Sequence, residues 1–110
     1  MSIPARFQGW DSKRFAAALA AGELDLAEAW LRYVREHREQ YSDYKDKDEV
    51  LDHRERELIK VFRDMGKATG NITWYSRAKA IIETSTIAEN IQNRRNRLVE
   101  ISGIPYEDIP

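Results

Sequence analysis

The sequence predicts an all-α protein: a small helical bundle, or a long antiparallel helical hairpin, preceded by a short alanine-rich αα-hairpin. Three observations predict it. The run from Glu23 to Met65 holds no glycine or proline. Apolar residues recur at three- and four-residue spacing, as in Leu24, Ala27, Leu31 and Val34, which lines one face of a helix. The charged share of 34% exceeds the usual value of about 25%. With only three prolines and five glycines, that is the composition of amphipathic helices with solvated outer faces.

At 110 residues the chain reads as a single all-helical domain, with residues 1–10 as an N-terminal arm and residues 103–110 as a C-terminal tail. Asp11 or Ser12 can cap a first helix over Lys13–Ala21, which Gly22 would stop. A second helix starts near Glu23–Asp25, where acidic side chains meet the positive helix end. The segment from Phe15 to Trp30, with Ala18, Ala21, Ala27 and Ala29, resembles one helical hairpin of the tetratricopeptide or pentatricopeptide type. The resemblance implies close helix approach. It does not recur downstream, and a solenoid needs at least three repeats.

Residues 23–65 as one helix would be roughly 65 Å long at 1.5 Å per residue. A stripe at seven-residue spacing runs through them: Trp30, His37, Tyr44, Leu51, Leu58 and Met65. The polar residues 42–49 offer several caps, so both a break near Ser42–Asp46 and one continuous helix are open. The last helix is expected from Asn71 or Thr73 to Ser102, ended by Gly103 and Pro105. Thr84 to Thr86 can instead form a turn, with Thr86 and Glu89 as a capping box. An antiparallel turn at Lys67–Asn71 would pair residues whose numbers sum to about 138. Phe62 then faces Ser76, Leu58 faces Ala80 or Ile81, Tyr44 comes near Arg94 and Tyr41 near Arg97. The residues after Gly103 are too few for further structure.

The formal net charge of −1 covers +2 over residues 1–22, −4 over residues 23–66 and +1 over residues 67–110. That is no nucleic-acid footprint across a whole domain. Without cysteine there is no disulfide framework and no thiolate metal site. The first residues lack a signal-peptide apolar run, and no stretch reaches membrane-spanning length. A cytoplasmic protein with no membrane contact is expected.

Two residue sets are candidate sites. Trp30, Tyr33, His37, Tyr41 and Tyr44 form an aromatic stripe with polar handles, suited either to a partner interface or to an internal core. Gln92, Asn93, Arg94, Arg95 and Arg97 form the sharpest basic feature. Arginine and amide forks on one helix can contact phosphates and base edges. The string Ile91-Gln92-Asn93-Arg94-Arg95 resembles a homeodomain recognition helix, which implies DNA binding; that family's core tryptophan would fall on Asn90. The bland alternative pairs these arginines with the acidic face of residues 36–57 or stacks them on Tyr41 and Tyr44.

Glu36, Glu39, Glu49 and Asp52 resemble the paired carboxylates of MazG-type pyrophosphohydrolases, which hold magnesium. Here the pairs are closer together, with arginines interrupting both. Glu49 and His53 make one weak metal pair. No nucleophile–base pairing and no phosphate loop is recognisable. No enzyme activity, cofactor or small-molecule substrate is expected. The expected function is protein–protein interaction, as a small helical adaptor, regulatory or assembly subunit that self-associates or binds another protein. The alternative is a helical DNA- or RNA-binding regulator using the basic helix.

Overall fold

The structure, a computed structural model, describes residues 3–42, 44–45, 47–87 and 89–110. It is all-helical, with α1 Ser12–Ala20, α2 Leu24–Glu36, α3 Asp48–Thr69, α4 Ile72–Glu83 and α5 Ile91–Ser102. Short 3-10 turns lie at Ala5–Phe7, Arg38–Gln40 and Tyr106–Asp108. The chain divides into two compact units, residues 1–54 and 55–110, and the division falls inside α3.

In the first unit, the Asp11 carboxylate accepts from the Arg14 backbone N–H at 2.8 Å and caps α1. Gly22, at φ +76°, turns the chain into α2; a Cβ there would cost roughly 1 kcal/mol of left-handed strain. Ala18 and Ala27 are both fully buried as α1 packs on α2, so the short alanine-rich hairpin forms as expected.

The glycine-free run breaks into two helices. α2 ends at Glu36, and His37 departs from helical geometry at φ −130°. A continuous helix would hold Tyr41 about 16 Å and Tyr44 about 21 Å from Trp30 along its axis. Their ring centroids instead lie 6.0 and 5.2 Å from Trp30. Folding back to bury two aromatic rings outweighs continuing the helix. Asp43 and Asp46, two candidate caps of this break, lie outside the described residues.

In the second unit, α3 and α4 are joined by the turn expected at Lys67–Asn71. Thr69 Oγ1 donates to the Met65 carbonyl at 2.7 Å and accepts from the Asn71 N–H at 3.2 Å. Gly70 takes φ +71°, and the Asn71 side chain caps α4 through the Thr73 N–H at 3.0 Å. Phe62 meets Trp74 at 6.0 Å between ring centroids, so the observed register is close to the one counted from the sequence. Gly66 is buried against Tyr75, and a Cβ added there would lie 2.6 Å from the ring. Gly66→Ala should therefore destabilise by about 1–3 kcal/mol through overpacking, despite alanine's better helix propensity. A urea melt showing equal or greater stability would contradict this packing.

The expected single helix from Asn71 to Ser102 is interrupted. α4 stops at Glu83, and α5 begins after Asn90. Asn90 sits at φ 67°, a left-handed conformation that asparagine tolerates better than most residues. Thr84 Oγ1 bonds back to the Ala80 carbonyl at 2.7 Å. Ser85 Oγ accepts from the Ile87 N–H at 3.1 Å. The turn alternative at Thr84–Thr86 is thus realised, but α5 is entered from Asn90 and not from the expected Thr86–Glu89 capping box; α5 packs on α4.

Both ends of the described chain carry more structure than the sequence suggests. Phe7 and Trp10, in the expected arm, are 1% and 5% exposed. The expected tail forms a 3-10 turn against α5, and Ile109 is 1% exposed.

Candidate functional site

The aromatic stripe lies in the first unit. Trp30 sits at its centre, stacked on Trp10 at 5.5 Å and tilted against Phe15 at 5.0 Å. Tyr41 and Tyr44 present their edges to it at 77° and 69°. Trp30 and Tyr44 are fully buried and Tyr41 is nearly so. Three of the five candidate interface residues are therefore interior side chains, unavailable to a partner while the unit is folded.

Tyr33 and His37 are half-buried and stack on each other at 4.1 Å. Tyr33 donates its hydroxyl to Gln40 Oε1 at 2.8 Å, and His37 Nδ1 lies 3.0 Å from the Tyr33 carbonyl oxygen. Burial, with the neighbouring Tyr33, pushes the Tyr41 phenol up to about 12; its hydroxyl donates to the Phe7 carbonyl at 3.4 Å. Tyr41 and Tyr44 belong to this cluster of the first unit, while Arg94 and Arg97, expected near them, lie in the second. Phe7 and Trp10, which the sequence places in an N-terminal arm, complete this cluster. Two large aromatics just before a helix cap are the signal that could have found them.

A cleft of about 350 Å³ opens beside Trp10 and Tyr41, bounded also by Ile3, Gly9, Asp11, Gln40 and Ser42. The Asp11 carboxylate there is engaged as the α1 cap and the Gln40 carbonyl by Tyr33. Among the described residues that line the cleft, no catalytic pair converges.

The basic stretch lies on α5 in the second unit. Glu55 lies on the side of α3 that carries Leu58 and Ile59, and like them it is buried. Arg94, 6% exposed, donates to Glu55 Oε1 at 2.9 Å. Ser85 Oγ donates to the same oxygen at 2.7 Å. A buried carboxylate is stable only with such partners. The bland alternative for Arg94, pairing with residues 36–57, is therefore the geometry observed. Glu55 and Ser85 were not among the candidates; a glutamate at an inward helical spacing was the available signal.

Arg95 lies 3.5 Å from Glu83, and Arg97 pairs with Glu100 on its own helix at 3.2 Å. Gln92 donates to Asn96 at 2.9 Å, while Asn93 is exposed. The five residues thus do not present one basic face: the central guanidinium is inside, and the two flanking ones each meet a carboxylate.

A third cluster surrounds Tyr106. Its hydroxyl donates to Glu83, and this bond with the nearby Arg95 guanidinium holds the Glu83 carboxyl below its usual range. Burial, then the bond to Glu83, pushes the Tyr106 phenol up to about 12. Lys79 Nζ donates to the carbonyls of Tyr106 at 2.8 Å and Ile109 at 2.7 Å.

Glu36, Glu39 and Glu49 are exposed, and among the described residues no three of the His, Cys, Asp or Glu side chains gather to hold a metal. Among the described residues, no helix is long and apolar enough to cross a membrane. No family model, no curated protein and no solved structure matches this chain.

Proposed function

We propose that the chain is a protein–protein interaction module, a small helical adaptor, regulatory or assembly subunit that associates with itself or with another protein. One observation carries this reading. The outer face of α1 and the residue after it present Ala16, Ala17, Ala20 and Ala21 to solvent, in a chain with 34% charged residues. Alanine lets a second helix approach closely and loses no side-chain entropy when covered. Among the described residues Ile72 is the one large apolar side chain that is exposed, at 41%. A broad apolar patch of the obligate-oligomer kind is thus absent from the described surface, so the association is of the transient kind.

Light scattering with absolute mass over a concentration series tests self-association. The wild type should rise above the 12.9 kDa of one chain, and an Ala17→Glu/Ala20→Glu variant should not. Both alanines are exposed, so the variant should keep its fold at a cost of about 1 kcal/mol or less. A wild type of one-chain mass at every concentration would end the self-association reading. Identical association by the variant would exclude the α1 face.

The alternative, a helical DNA- or RNA-binding regulator using α5, has less support. Arg94 is buried on Glu55, and Arg95 and Arg97 face Glu83 and Glu100. Retention on duplex DNA that falls steeply with salt would reinstate it.

A further inference from the structure

We draw no further inference here: the strongest candidate, the cleft of about 350 Å³ beside Trp10 and Tyr41 in the first unit, carries nothing, because Asp11 is engaged as the α1 cap and Gln40 by Tyr33, and nothing in the structure shows what chemistry would fill it.

Discussion

Arg94→Met should cost the chain about 3–5 kcal/mol of folding stability, the range for removing one member of a buried ion pair. The guanidinium lies 2.9 Å from Glu55, and Glu55 is fully buried. Methionine fills similar space but returns neither the charge nor the hydrogen bond. The Glu55 carboxylate would then keep its burial and lose its cation. Against a typical domain stability of 5–15 kcal/mol, such a loss is decisive. The double variant Glu55→Met/Arg94→Met should recover most of it, because an apolar pair of matching volume carries no desolvation penalty. Urea melts of the two single variants and the double give the coupling directly. Additive losses would show that the pair does not act as a pair.

Trp30→Ala should have an effect of the same size or larger on the first unit. Truncating a buried tryptophan costs about 3–5 kcal/mol in transfer and cavity terms, and each well-placed aromatic contact adds about 0.5–1.5 kcal/mol. Trp30 makes ring contacts with Trp10, Phe15, Tyr41 and Tyr44. Its loss should abolish the near-ultraviolet circular dichroism of the cluster. Trp30→Phe, which keeps a ring at the centre, should be markedly milder. Retention of the near-ultraviolet spectrum in Trp30→Ala would mean that the cluster is held by something other than its middle ring.

What the sequence made legible were the places where one residue decides the local backbone. Asp11, Gly22, Asn71 and Gly103 each mark a helix boundary through their own chemistry, and each boundary falls within a residue or two of its expected position. Breaks made by distant packing were less legible. The chain leaves α2 because Tyr41 and Tyr44 fold back on Trp30, a gain that no window of local sequence contains. The interruption before α5 uses Asn90 in the conformation usually taken by glycine. A search for glycine and proline therefore passes over it.

The candidate sites divide along the same line. Arginines on a helix look alike in sequence whether they meet phosphate or an internal carboxylate, and only the placement of Glu55 and Ser85 distinguishes the two for Arg94. The order of Ile104–Pro110 is not legible because Lys79, which holds it, lies 27 and 30 residues before the carbonyls it meets. A seven-residue segment considered alone gives no reason to fold.

The flat stacking of Trp10 on Trp30, at 5.5 Å and 24°, has an optical consequence. Two indoles so close couple their electronic transitions and share one exciton signature. The third tryptophan, Trp74, belongs to the other unit and contacts Phe62. Each unit therefore carries its own chromophore, and the melting of either can be followed separately in the unlabelled chain.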